Sequence, residues 1–186
     1  MNPDLHFATG NDVRQTPPEV FDPLNEEFHF AVDLAATRST CRVQIGDRAS
    51  YYFGPDHEDP RYQDSLTVPW AETCGDTKGW CNPPYSRGLQ GLFIAKASRE
   101  AKHGFVTVML LPARPDTVAF HHYIWDKKTQ TPRPGVEVRF LQGRIQFLDE
   151  HGERICDKAG RPTRAPFPSM VVVFRRPPEL PTSEDA

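Results

Sequence analysis

Asn82-Pro83-Pro84-Tyr85 is the stretch of this chain whose residue types and spacing can do chemistry. A planar amino group gives its nitrogen lone pair to the neighbouring π system and is a poor nucleophile. A site that alkylates it must accept both N–H protons and leave the lone pair facing an electrophile. The Asn82 side-chain oxygen and the Pro83 carbonyl supply two acceptors. Consecutive prolines, Pro83 and Pro84, fix φ and remove N–H donors, so the loop is stiff and presents carbonyls. Tyr85 offers a flat face on which a base can stack. A Pro-Pro pair also marks ordinary turns, so its flanks matter. Trp80 and Cys81 read as the end of a buried strand. Residues 88–103 place Leu89, Leu92, Phe93, Lys96, Ala97 and Glu100 at helical spacing. Strand, Pro-rich loop, helix is the order that sets functional groups at the carboxyl edge of an open α/β sheet.

An alkyl donor needs its own site within reach of Asn82. Asp33 ends an expected strand over 28–34, and the small residues Ala35 and Ala36 after it let a ligand approach closely. An acid there can pair with an ammonium, hold a hydroxyl or merely finish a turn. Thr16 is expected to cap a helix, with Pro17 in its first position and Glu19 completing a capping box. Free N–H groups at that helix start could meet a donor carboxylate. Asp64-Ser65-Leu66 could flank a donor ring or simply hold a turn. No Gly-x-Gly loop follows Asp33 and no Gly-x-x-x-x-Gly-Lys occurs, which counts against dinucleotide and ATP sites.

The elements that must position these groups alternate. A helix is expected from Thr16, with Pro23 kinking or shortening it, and a second short strand over 41–45. Residues 47–77 form a long irregular connection. Residues 105–111 are a near-continuous apolar run, the mark of a strand buried on both faces. A helix is expected from Asp116, then strands over 135–140, 144–148 and 170–174, with a Gly/Pro/charge-rich excursion over 151–168. The result is an α/β class, mainly parallel, with antiparallel strands near the C-terminus.

The chain has 186 residues, 38% of them hydrophobic, which suits one domain with a substantial core. No apolar run reaches the roughly 18–20 residues that cross a bilayer, and no secretion signal is visible, so a cytoplasmic location is expected. Four scattered cysteines have no ligand-like spacing to histidine, and no metal is expected. The formal charge is −3, yet residues 1–86 hold 6 Lys/Arg against 14 Asp/Glu, while residues 87–144 hold 10 against 4. That asymmetry can orient a protein on phosphates. Arg87, Arg114, Arg139 and Arg144 are the candidate contacts in the basic half.

The order Thr16-Pro17, then 30–36 (Phe-Ala-Val-Asp-Leu-Ala-Ala), Trp70 and 80–86 (Trp-Cys-Asn-Pro-Pro-Tyr-Ser) resembles the phage-type DNA N-6-adenine methyltransferases, the Dam-like enzymes of phages and prophages. The similarity continues through 108–117 and 139–147, and covers 16–174. The resemblance implies a Rossmann-like S-adenosylmethionine-dependent methyltransferase sheet and double-stranded DNA as partner. It also implies methyl transfer to N6 of a flipped adenine, with Asn82, Pro83, Pro84 and Tyr85 as the catalytic stretch. It sets Thr16, Pro17 and Asp33 in donor-binding positions, with Ala35 and Asp64 the further candidates read from the residues. The corresponding division is a flexible 1–13, a methyltransferase domain over 14–176 and a flexible tail over 177–186. The loop chemistry by itself also suits cytosine N4, an RNA guanine or a protein glutamine. A non-catalytic DNA-binding module is the alternative outside enzymes. The base-reading region is expected in 47–77 or in 149–168.

Overall fold

The computed structural model describes residues 14–44, 51–86 and 88–179. Arg87, the expected flexible start over 1–13, Ile45 of the expected second strand, 47–50 of the long connection and the end of the expected tail lie outside the described residues.

Among the described residues, seven strands and three α-helices carry the architecture. Helix α1 (Pro18–Phe28) leads into β1 (Val32–Asp33). Short α2 (Trp70–Cys74) precedes β2 (Lys78–Cys81), and α3 (Leu89–Lys102) precedes β3 (Val106–Pro112). The small antiparallel pair β4 (Trp125–Asp126) and β5 (Thr131–Pro132) stands apart, and β6 (Val136–Phe140) and β7 (Ser169–Phe174) complete the main sheet. Its order is β1-β2-β3-β7-β6. The first three strands run parallel, β7 is antiparallel to β3, and β6 is antiparallel to β7. Strand β6 therefore points the same way as β3, and the carboxyl ends of β1, β2, β3 and β6 share one rim.

The apolar run in β3 explains why the sheet has a layer on each face. Successive side chains of a strand point to opposite sides. Val108 and Leu110 join Val171 and Val173 against Phe21, Leu24 and Phe28 of α1. Met109 and Leu111 join Val172 and Phe174 against Phe93, Ile94 and Ala97 of α3. Both sides of the strand are thus dry, as a non-alternating apolar sequence requires. Trp80, 1% exposed, meets Phe21 edge-on at 5.4 Å and Phe30 at 5.5 Å, locking β2 beneath α1.

Several expected elements shift. Helix α1 starts one residue late, with Pro17 as its N-cap and no side-chain cap bond. The capping box does not form, because Glu19 pairs with Arg154 instead. The helix also runs through Pro23, which sits on the exposed side, where the carbonyl that loses its partner can be solvated. The strand expected over 28–34 is only Val32–Asp33, since α1 extends to Phe28. Residues 41–44 form no strand. In the irregular stretch, residues 51–53 lie along β1: Asp33 N–H donates to the Tyr51 carbonyl and Phe53 N–H to the Asp33 carbonyl, at 2.9 and 2.8 Å. Gly54 follows, and a Cβ there would lie 1.6 Å from the Ala36 oxygen, so only glycine permits this approach.

The helix expected from Asp116 is mostly a π-helical stretch, Phe120–Ile124, where Trp125 N–H reaches back five residues to the Phe120 carbonyl. Val118, just before it, is 85% exposed. The strand expected over 144–148 is replaced by irregular extended backbone. Residues 145–165 instead form two successive hairpin-like reversals, joined by Ile155 N–H to the Phe147 carbonyl and Thr163 N–H to the Ile155 carbonyl. Each reversal is held by an aspartate. Asp149 accepts from the N–H groups of His151 and Glu153, and Asp157 from those of Ala159 and Arg161. Among the described residues, no helix is long and apolar enough to cross a membrane.

Candidate active site

Asn82 directly follows β2 at the sheet's carboxyl rim. Its side-chain Nδ2 donates to the Arg14 carbonyl at 3.2 Å, and Oδ1 accepts from the Tyr85 hydroxyl at 2.7 Å. Those two partners fix the amide: the nitrogen faces a carbonyl, so the oxygen faces Tyr85. One lone pair of Oδ1 remains for a second donor. Burial pushes the Tyr85 phenol far above its ordinary range, so it stays a neutral O–H donor at any working pH.

Asn82, Pro83, Tyr85 and Ser86 line a cavity of about 220 Å³ with Arg14, Arg114, Pro166 and Phe167. Pro84 is buried behind this lining. The Tyr85 ring meets Phe167 edge-on at 5.4 Å and Phe147 at 6.2 Å. The Arg114 guanidinium sits 5.4 Å from the Phe167 ring centre, and that of Arg14 5.9 Å from Phe147. The chamber thus has aromatic walls, a polar oxygen at its end and two guanidiniums around it. Its volume is below the roughly 300–1,000 Å³ of pockets for drug-sized ligands and suits one planar group. The stiff loop is followed by Gly88 at φ +88, a value that turns the chain into α3 and that L side chains rarely adopt.

Two of the expected donor residues, Asp33 and Ala35, lie at the end of the adjoining strand. Asp33 closes β1 and pairs in register with Trp80, and Leu34 N–H donates to the Trp80 carbonyl at 2.8 Å. Its carboxylate is 3% exposed and accepts two long backbone bonds, from Ala35 N–H and Arg42 N–H, each 3.3 Å. Burial pushes its pKa up to about 7, against the smaller opposing pull of those bonds and of Arg42. The Cys81 thiol beside it is driven well up by burial and by the Asp33 charge.

Thr16 does not cap α1. It is 1% exposed, and its hydroxyl has no hydrogen-bond partner. It stands two residues after Arg14, whose carbonyl holds Asn82, and next to Pro17 at the helix start. Asp64 holds its own turn by accepting from Leu66 N–H at 3.1 Å. It borders a void of only about 10 Å³ beside Gly54, the residue pressed against Ala36.

The expected phosphate contacts separate. Arg114 lines the Asn82 cavity. Arg139 is bonded to both oxygens of Glu27 at 2.5 and 2.6 Å and to Glu137 at 2.5 Å, so carboxylates already hold its guanidinium. Arg144 lines a different cleft. Sequence reasoning passed over Arg14, Pro166 and Phe167. The Pro166-Phe167-Pro168 pattern, a rigidly displayed aromatic, is the signal that could have found the last two. Among the described residues, no cluster of three His, Cys, Asp or Glu could hold a metal ion.

Nothing among curated proteins matches this chain. A protein-family match, described as DNA N-6-adenine-methyltransferase (Dam), spans residues 7–183 and so nearly the whole chain. A match of that extent leads to one conclusion: the protein belongs to the Dam family of DNA N-6-adenine methyltransferases.

Proposed function

We propose that the chain methylates N6 of an adenine flipped out of double-stranded DNA, on a Rossmann-like sheet formed within residues 14–176. The observation that carries this reading is the aromatic-walled cavity ending at Asn82 Oδ1, one strand away from the buried Asp33. S-adenosylmethionine, the donor this family's chemistry calls for, supplies an electrophilic sulfonium methyl. The residues present fit it. Thr16 offers a buried hydroxyl without a partner, the start of α1 at Pro17 offers N–H groups for a carboxylate, and Asp33 offers an acid in a dry setting that a donor ammonium or hydroxyl satisfies. Ala35, whose N–H bonds the Asp33 carboxylate, and Asp64 are the further candidates for contact with the donor.

The target base leaves the stack for a few kcal/mol and lies against Tyr85 and Phe167. Asn82 Oδ1 and the Pro83 carbonyl accept the two N6–H protons. This draws the amino group toward a pyramidal nitrogen and aims its lone pair out of the ring plane. The N6–carbon bond forms as the carbon–sulfur bond breaks, and one N6 proton leaves to solvent. Positioning of this kind and two fixed acceptors supply the rate. Arg114 faces the phosphate beside the flipped nucleotide, and Arg87, the residue after Ser86 in sequence, is the further candidate contact.

The test is transfer of a labelled methyl group to adenine-containing duplex, followed by digestion to nucleosides. Label in N6-methyldeoxyadenosine is expected with wild type and its loss with Asn82→Ala, while donor binding by calorimetry persists. Equal incorporation by the two proteins refutes the role of Asn82. Absent donor binding in wild type makes the chain a DNA-binding module.

A further inference from the structure

A second cleft is larger than the Asn82 cavity. It has a volume of about 510 Å³ and lies between α1 and the chain leaving β6. Leu24, Ile145 and Val171, all buried, and the half-buried Val20 give it an apolar floor. Four arginines rim it: Arg139, Arg144, Arg154 and Arg164. Two of these are already neutralised, Arg139 by Glu27 and Glu137 and Arg154 by Glu19. The other two have no carboxylate partner among the described residues, and the Arg144 guanidinium bonds the Ala165 carbonyl, at 3.3 Å. Two uncompensated guanidiniums above an apolar floor suit a ligand with a flat apolar body and an anionic edge. A nucleotide has that chemistry.

The position narrows the source. The cleft opens where β6 ends, on the rim that also carries Asn82. Arg164 lies three residues before Phe167, which walls the Asn82 cavity. Three extended residues span at most about 10 Å, two or three base steps at roughly 3.4 Å each. We propose that this cleft is a second nucleotide subsite. It seats a nucleotide of the DNA strand flanking the target, with its phosphate on Arg144 and Arg164 and its base over Val20 and Ile145. This rests on the reading of the Asn82 cavity as the target-base site.

The test uses the full chain and the variants Arg144→Gln, Arg164→Gln and the double variant. The side-chain amide introduced by Arg144→Gln keeps a donor for the Ala165 carbonyl, and Arg164 is exposed, so the fold is retained. Duplex affinity is read by fluorescence anisotropy across a salt series. Two lost phosphate contacts lower the slope of log K against log salt by about 1.8. They weaken binding roughly 60-fold at 0.1 M salt, with the deficit closing toward 1 M. Donor affinity stays at the wild-type value. An unchanged slope and affinity in the double variant overturn the proposal. Deoxyadenosine monophosphate that saturates wild type but not the double variant, without displacing duplex, overturns it in favour of a free-nucleotide site. If wild type transfers no methyl to adenine, the Asn82 reading fails, while the salt series still decides whether the cleft grips DNA.

Discussion

Replacing Asp33 with Asn should make the protein more stable at pH 8 and less able to bind its methyl donor. The carboxyl is lifted from 3.8 to about 7 by burial, and each pH unit corresponds to 1.36 kcal/mol. The folded state therefore carries the Asp33 anion at a cost of about 4 kcal/mol. Asn removes the charge but presents an N–H to Arg42 N–H, now bonded to the carboxylate at 3.3 Å. Losing that acceptor costs about 1–2 kcal/mol, so a net gain of roughly 2–3 kcal/mol is expected at pH 8. The sign with pH follows from linkage. Between 3.8 and about 7 the folded state holds a proton that the unfolded state has released, so wild-type stability rises as pH falls through this window. Below pH 4 both states are protonated, and the advantage of Asn disappears or reverses slightly. Urea unfolding of both proteins at pH 8 and pH 4, with calorimetric titration of S-adenosylmethionine at pH 8, measures both halves. A stability difference that does not change with pH would falsify the burial argument, and undiminished donor affinity would remove Asp33 from the donor site.

Three further outcomes follow from contacts already described. Thr16→Val deletes a buried hydroxyl that has no partner, so urea unfolding should show unchanged or slightly greater stability. Donor affinity should fall about 2- to 13-fold, the loss of one hydrogen bond; unchanged affinity refutes the assignment. Tyr85→Ala removes the stacking face and the Asn82 partner, so kcat/KM for duplex should drop by roughly 5- to 150-fold from stacking alone. Tyr85→Phe keeps the face and should retain more activity than Tyr85→Ala; identical losses argue against stacking. Lys96→Met breaks the buried pair with Glu100, 2.7 Å long, whose other oxygen accepts from Ala71 N–H at the start of α2. Leaving Glu100 unpaired should destabilise by about 3–5 kcal/mol in urea unfolding, and a change under about 1 kcal/mol would mean the carboxylate finds solvent.

Much of the fold was written locally. Helix α3 could be placed within one residue at each end because its apolar period is regular, and the β3 run declared itself by lacking polar alternation. Asn82-Pro83-Pro84-Tyr85 carried its chemistry in covalent terms, as locked φ angles, missing N–H donors and an adjacent ring, all independent of the surroundings. The misreadings came where a local rule met a partner from elsewhere in the chain. Thr16 and Glu19 spelled a capping box, but Arg154, distant in sequence, took the Glu19 carboxylate. A helical pattern after Asp116 gave way to a π-helical stretch, with the Arg133 guanidinium bonded to the His121 carbonyl at 2.9 Å.

Composition and spacing alone determined that this chain has a two-faced α/β sheet with a stiff Pro-Pro loop at one strand end. Only tertiary structure decided that Phe167 and Arg14 complete that loop's chamber, that Asp33 is dry enough to resist ionisation, and which arginines pair with carboxylates among the described residues. The reason is physical: dihedral preferences and hydrophobic periods are properties of neighbours in the chain. Desolvation and charge pairing depend on which distant segments the closed fold sets within a few ångströms.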